Sequence, residues 1–171
     1  FAILLGLAIW YLLFRQPLPL PGIPGETVMP TYSTSIYRPD RPMGVAVTAD
    51  GSRIFAGETE GERIARFYDA SGTELGLMQP PVSTGSEHVP VYLALDPVNG
   101  EVYVTDRPNG AIYIYDANGT YQRAFNPGVL LKGWQPLGIT FDRDGNLYVT
   151  DISTQPQQIL VFDRTGNVVQ T

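Results

Sequence analysis

The sequence predicts an all-β protein, a β-propeller of which three four-stranded blades lie in this chain, preceded by one N-terminal transmembrane helix. Three observations predict this architecture. The first 14 residues carry no charge. A pattern of short apolar strands and glycine turns occurs three times, and its last glycines, Gly72, Gly119 and Gly166, are spaced 47 residues apart. The 18 glycines and 15 prolines among 171 residues suit a turn-rich β protein better than a helical one.

Residues 1–15 are predicted to form the transmembrane helix. As a helix, the 14 uncharged residues would be roughly 21 Å long, against a hydrocarbon core of about 30 Å, so residues upstream of Phe1 would complete the span. Trp10 and Tyr11 come late in the segment and Arg15 ends it, as is typical of a membrane–water interface. The alternative is a signal-peptide core, but no cleavage site of small residues follows Arg15.

Small residues on this helix predict a partner. A lone helix gains nothing from the hydrophobic effect by leaving lipid for another helix, so its association depends on close packing. Ala2 and Gly6 are one turn apart and would let a second helix approach closely. We therefore predict that Ala2, Gly6 and Trp10 bind a partner, while residues 1–14 contact the lipid bilayer.

Residues 16–31 are predicted to be a proline-rich linker. Five prolines lie between positions 17 and 30, and proline removes the backbone donor that a helix needs. Such a segment favours extended polyproline II structure and acts as a semi-rigid spacer. It would hold residues 32–171 away from the membrane.

Each repeat in residues 32–171 reads as four short strands, named a to d, with period-two patterning and Asp/Asn-Gly turns. Strand a is predicted at Val45–Thr48, Leu93–Asp96 and Ile139–Asp142. Strand b is predicted at Ile54–Ala56, Val102–Thr105 and Leu147–Thr150. Strand c is predicted to end at Asp69, Asp116 and Asp163, and strand d to span Leu75–Met78 and Tyr121–Phe125. Four antiparallel strands per repeat predict propeller blades.

The third repeat resembles the NHL-repeat family of β-propellers almost throughout. It reads Pro136-Leu-Gly-Ile-Thr-Phe-Asp142, then Gly145-Asn-Leu-Tyr-Val-Thr-Asp151, then Val161-Phe-Asp-Arg-Thr-Gly166. The second repeat departs from the family pattern at Tyr92, where glycine is usual. The resemblance implies a ring of six blades, and therefore a protein longer than these three. It also implies that Tyr32–Tyr37 corresponds to a strand d that closes the ring.

Composition excludes several function classes. The net charge is −6, Lys132 is the only lysine and no basic run occurs, which disfavours nucleic-acid binding. The chain has no cysteine and one histidine, His88, which excludes disulfides, thiolate sites and multi-histidine metal sites within it. We expect no cofactor and no metal. His88 is expected to be an exposed loop residue, although with Glu87 it would also suit a metal ligand or a tuned base.

Acidic residues recur at the end of strand b. Two interpretations are open: a ring of carboxylates that binds a cation, or carboxylates that each accept hydrogen bonds within their own blade. Recurrence in every blade favours the second interpretation. The residues are Glu58, Asp106 and Asp151.

The NHL resemblance also brings an enzymatic alternative. Lyases that act on peptidyl-hydroxyglycine and gluconolactonase-like hydrolases resemble NHL proteins and place metal ligands near the central channel. In this chain the channel-side entries of strand a are Met43, Val91 and Leu137, which are apolar. We therefore expect no catalytic residue among these blades.

The loop at residues 126–135 is unusually apolar for a connection. Leu130, Leu131 and Trp134 would serve as a docking patch for a partner, since tryptophan is enriched at interface hot spots. Alternatively, they fold back over the sheets between blades. Both interpretations remain open from the sequence.

Together these patterns predict a single-pass, membrane-anchored propeller that acts as a non-catalytic scaffolding or accessory subunit of a larger membrane complex. By analogy with exported propellers that lack cysteine, its propeller is expected on the extracytoplasmic side. One alternative is an anchored propeller enzyme of the lyase or lactonase type, completed by further blades. The other is an extracytoplasmic domain that senses a ligand.

Overall fold

The computed structural model describes residues 32–81, 87–128 and 133–170, and Ser35–Thr171 cluster into one compact unit. Twelve strands and no helix make up the described ranges, which confirms the all-β prediction. The strands are β1 (Pro42–Val47), β2 (Arg53–Glu58), β3 (Ala65–Asp69), β4 (Glu74–Met78), β5 (Pro90–Leu95), β6 (Val102–Asp106), β7 (Ala111–Tyr115), β8 (Tyr121–Ala124), β9 (Pro136–Phe141), β10 (Leu147–Asp151), β11 (Gln158–Phe162) and β12 (Val168–Gln170).

The predicted helix at residues 1–15 and the linker at residues 16–31 lie outside the described residues. Within the described part of the chain, no helix is long and apolar enough to span a membrane.

The twelve strands form three antiparallel four-stranded sheets, which we call blades 1 to 3. Their strand orders are β1-β2-β3-β4, β5-β6-β7-β8 and β9-β10-β11-β12. The first strand of each blade contacts the first strand of the next, so β1, β5 and β9 lie side by side. Consecutive four-stranded meanders joined at their inner strands are propeller blades, as the repeats predicted.

The inner strands begin earlier than predicted. Pro42, Pro90 and Pro136 are the first residues of β1, β5 and β9, and Pro90 pairs with Asp106 at the end of β6. Proline is tolerated at the first position of a strand because its missing N–H breaks no ladder there. The strands predicted from the sequence therefore begin three residues too late.

The turn between the third and fourth strands is the same in every blade. In blade 1 the Asp69 carboxylate accepts hydrogen bonds from the backbone N–H groups of Ser71 and Thr73, both at 2.9 Å. Gly72 then adopts a φ of +86°, in the left-handed region that favours glycine. This geometry explains why the Asp-x-x-Gly pattern recurs in the sequence.

Two apolar cores lie between the blades, because successive side chains of a strand point to opposite faces. Phe55 and Phe67 of blade 1 pack with Val104 and Tyr115 of blade 2. The opposite face of blade 2 packs against blade 3 in a second core, which contains Tyr103, Ile112, Ile114, Leu147, Val149, Leu160 and Phe162. Tyr68, Tyr115 and Phe162 hold the same position in the three blades and are at most 2% exposed, so this recurring aromatic position is core.

The segment before β1 lies against the outer edge of blade 1. Ile36 is in contact with Gly72, and Arg38 forms an ion pair with Glu74 at 3.4 Å. In blade 2 the equivalent turn glycine, Gly119, lies against Phe67 of β3 and Met78 at the end of β4. Ile36 therefore covers the turn of blade 1 as side chains of blade 1 cover the turn of blade 2, although residues 32–38 form no β-strand.

Candidate functional site

The carboxylates that end the second strand of each blade are buried and hydrogen-bonded. Glu58, Asp106 and Asp151 are only 1–2% exposed. Each accepts a hydrogen bond from a backbone N–H just before the inner strand of its own blade, donated by Asp40 at 3.3 Å, Val89 at 3.2 Å and Gln135 at 3.2 Å respectively. The interpretation that these acids bond within their own blade is confirmed. They hold the loop that leads into each inner strand.

The side-chain partners of these carboxylates differ between blades. Glu58 accepts a hydrogen bond from Arg66 Nε at 2.7 Å, and this bond raises the pKa of Arg66. Asp151 accepts hydrogen bonds from Ser153 Oγ at 2.9 Å and Gln158 Nε2 at 3.2 Å. Burial acts to raise the pKa of Asp151, but the hydrogen bonds from Ser153, Gln158 and the backbone of Gln135 together outweigh it, and the net shift is downward.

His88 contradicts the expectation of an exposed loop residue. Its side chain is 18% exposed, its Nδ1 lies 2.5 Å from Asp106 Oδ2 and its ring meets the edge of Tyr113 at 5.7 Å. Asn109 Nδ2 donates to the same carboxylate oxygen at 2.9 Å. The expectation failed because Asp106 is distant in sequence, and only the pairing of β5 with β6 brings the two loops together. Among the described residues, no three His, Cys, Asp or Glu side chains are placed to hold a metal ion.

The entries of the inner strands form a depression of about 860 Å³, which we call the mouth. Met43, Val91 and Leu137 line it, as expected for the channel side of the blades, together with Tyr92. Tyr92 stands where blades 1 and 3 have Gly44 and Gly138. Its backbone N–H donates to Thr105 Oγ1 at 3.0 Å, as that of Gly138 donates to Thr150 Oγ1 at 2.7 Å, so the strand geometry is kept while a phenol ring is added.

Two arginines at the mouth were not predicted from the sequence. Arg41 directly precedes β1 and Arg107 directly follows β6, and both line the depression. Arg41 forms an exposed ion pair with Glu60 and has a φ of +47°. Both positions can be located in the repeats. Arg41 precedes Pro42, the proline that begins the inner strand, and Arg107 follows Asp106, the carboxylate that ends the second strand. These positions carry different residues in the other blades, so the repeat pattern did not single them out.

The residues predicted to bind partners are only partly described. Ala2, Gly6 and Trp10 lie outside the described residues, and so do Leu130 and Leu131, so their roles remain predictions. Trp134 is half-buried, and its ring packs edge-to-face on Phe162 at 5.9 Å. For Trp134 this is the folded-back placement that the sequence left open.

Comparison with known proteins shows the fold and nothing finer. No family model matches the sequence, so the NHL resemblance remains a prediction. No curated protein matches it either.

Several solved structures resemble the chain. A catalytically inactive virginiamycin B lyase from Staphylococcus aureus with quinupristin matches 76% of this chain and 40% of its own, at 19% identity and a TM-score of 0.60. Hydrazine synthase of Kuenenia stuttgartiensis matches 81% of this chain and 37% of its own, at 20% identity and a TM-score of 0.60. A nidogen/laminin complex matches 75% and 48%, at 22% identity and a TM-score of 0.59.

The chain thus spans less than half the length of each of these three matching chains. These solved structures are β-propellers, and the three four-stranded sheets of this chain match that architecture. The chain therefore folds as part of a β-propeller. Identities this low carry no information about activity.

Proposed function

We propose that this protein is a membrane-anchored propeller that binds other subunits of a membrane complex and acts as a scaffold. The proposal rests on the hydrogen bonds that the recurring carboxylates of the protein accept. Glu58, Asp106 and Asp151 all accept hydrogen bonds that hold loops in place, and the inner-strand entries present apolar side chains. Such a surface is suited to binding rather than to acid–base chemistry.

The anchor supplies the second half of the proposal. Residues 1–14 carry no charge, and Ala2 and Gly6 present a surface of small residues on the predicted helix. The proline-rich residues 16–31 then act as a spacer that brings the propeller onto the same complex. We place the propeller on the extracytoplasmic side.

The test is co-purification of the full chain from native membranes in mild detergent. The wild-type chain is expected to migrate with partner subunits, and Gly6→Leu to release it, because the added side chain blocks close helix approach. Ala8→Leu adds comparable bulk on the opposite side of the predicted helix and serves as the matched control. A wild-type chain that migrates alone as a monomer contradicts the scaffold role, and Gly6→Leu with unchanged co-purification contradicts the packed helix face.

A further inference from the structure

The mouth combines an apolar floor with cationic side chains at its rim. Its volume of about 860 Å³ falls within the range of about 300–1,000 Å³ that is usual for small-molecule sites. Met43, Val91, Leu137 and Tyr92 provide the floor, while Arg41 and Arg107 line the same depression. A concave surface of this size suits a small molecule better than a flat protein surface.

The positive charge of Arg107 at the rim is not paired with a neighbouring acid. Within residues 32–81, 87–128 and 133–170, the exposed Arg107 guanidinium has neither an ion pair nor a side-chain hydrogen bond. The neighbouring carboxylate of Asp106 is engaged by His88, Val89 and Asn109. Although the chain has a net charge of −6, Arg107 is thus an exposed cation that no described carboxylate pairs.

Arg41 is held at the rim in a strained backbone conformation. Its φ of +47° is uncommon for a residue other than glycine, and such conformations persist where the surroundings enforce them, often at binding sites. The Thr59 hydroxyl donates to the Arg41 carbonyl at 3.0 Å and helps to enforce it. Arg41 is paired with Glu60, but both side chains are more than half exposed, and exposed pairs of this kind contribute little and exchange readily.

We propose that the mouth binds a small organic anion, a carboxylate or phosphate attached to an apolar or aromatic body. Arg107 and Arg41 bind the anionic group, because planar guanidinium groups match the geometry of carboxylate and phosphate oxygens. Tyr92 and the three apolar entry residues contact the body of the ligand. This inference goes beyond the scaffold role and does not depend on it.

The test uses benzoate and its neutral isostere benzamide as probes of the full chain in lipid nanodiscs, with binding measured by saturation-transfer NMR and empty nanodiscs as the blank. Benzoate is expected to bind about tenfold more tightly than benzamide, because charge-assisted hydrogen bonds are made only to the anion. Acetate, which has the charge without the ring, should bind more weakly than benzoate. Equal affinity for benzoate and benzamide, or no binding of benzoate, overturns the proposal.

Two variants separate the two halves of the site. Arg107→Gln is expected to weaken benzoate about tenfold and to leave benzamide unchanged, whereas Tyr92→Gly is expected to weaken both probes severalfold. Arg143→Gln is the matched control, because Arg143 is exposed in the turn between β9 and β10, at the opposite end of the blades. Equal effects of Arg107→Gln and Arg143→Gln would show a general charge effect and overturn the site.

Discussion

At the scale of single residues, the recurring aspartates stabilise the turns between the third and fourth strands by accepting hydrogen bonds. Asp163 accepts hydrogen bonds from Thr165 Oγ1 at 2.6 Å and from the backbone N–H groups of Thr165 at 2.8 Å and Asn167 at 3.0 Å. These bonds favour the charged form and lower the pKa of Asp163 to about 2. The same kind of turn lowers the pKa of Asp69, again first through a side-chain hydrogen bond, from Ser71. The turns at Asp69 and Asp163 are therefore most stable with their carboxylates ionised.

This chemistry predicts loss of stability in acid. An unfolded aspartate has a pKa of about 3.9, above the folded value of about 2 for Asp163, so its contribution is complete well above pH 4 and is lost as the pH falls from about 4 to about 2. Asp163→Asn should flatten the fall of the melting temperature in this window. The control Asp144→Asn removes a carboxylate that accepts no hydrogen bond among the described residues, and it should leave the fall unchanged. Identical profiles for both variants would contradict the assignment.

At the scale of the elements, the inner strands limit how closely blades approach. A Cβ added at Gly44 of β1 would lie 2.5 Å from the Val91 carbonyl oxygen and 2.7 Å from Tyr92 Cα of β5. The equivalent Cβ at Gly138 of β9 would meet nothing closer than Thr150 Oγ1 at 3.2 Å. Gly44 is therefore required by the contact between two strands, not by its backbone angles.

Gly44→Ala should destabilise the chain more than Gly138→Ala does. Overpacking of a close contact typically costs about 1–3 kcal/mol, and the obstacle at Gly44 is backbone that cannot rotate away. At Gly138 the nearest atom belongs to the Thr150 side chain, which would have to shift by only a few tenths of an ångström. Urea unfolding midpoints of the two variants provide the measurement. Equal losses of stability would mean that β1 and β5 are further apart in solution.

At the scale of the whole molecule, no described sheet covers the face of blade 1 that corresponds to the covered faces of blades 2 and 3. Val45 and Val47 of β1 are 67% and 51% exposed. The residues at the same positions in blades 2 and 3 are buried or half-buried beneath the preceding blade; they are Leu93, Leu95, Ile139 and Phe141. The apolar pattern of β1 is thus that of a strand between two sheets.

Valine-to-alanine substitutions test this difference in cover. Val149 in β10 is fully buried, so Val149→Ala should cost about 2 kcal/mol through lost apolar burial and the cavity left behind. Val45→Ala deletes the same atoms from an exposed position and should cost no more than about 0.5 kcal/mol. Both values come from denaturant unfolding of the purified chain. If Val45→Ala proves as costly as Val149→Ala, another sheet covers this face in solution.

The sequence by itself determined the features that recur in all three blades. Strand period, turn aspartates and glycines, the buried aromatic position and the recurring carboxylates are local patterns, and three copies separate them from chance. The turns between strands were predicted from residues such as Asp69 and Gly72. This worked because a turn of four or five residues contains most of its own hydrogen-bond partners. The exceptions were the starts of the inner strands, which the sequence placed three residues too late.

Only the tertiary structure decided what is unique to one blade. His88 is half-buried against Asp106, 18 residues away in sequence, because the start of β5 and the end of β6 meet where the two strands pair. Arg41 and Arg107 reach one depression because β1 and β5 lie side by side, although the two arginines belong to different blades. The physical reason is distance along the chain: hydrogen bonds within a turn are specified by adjacent residues, whereas the mouth is specified by how the inner strands of three sheets pack.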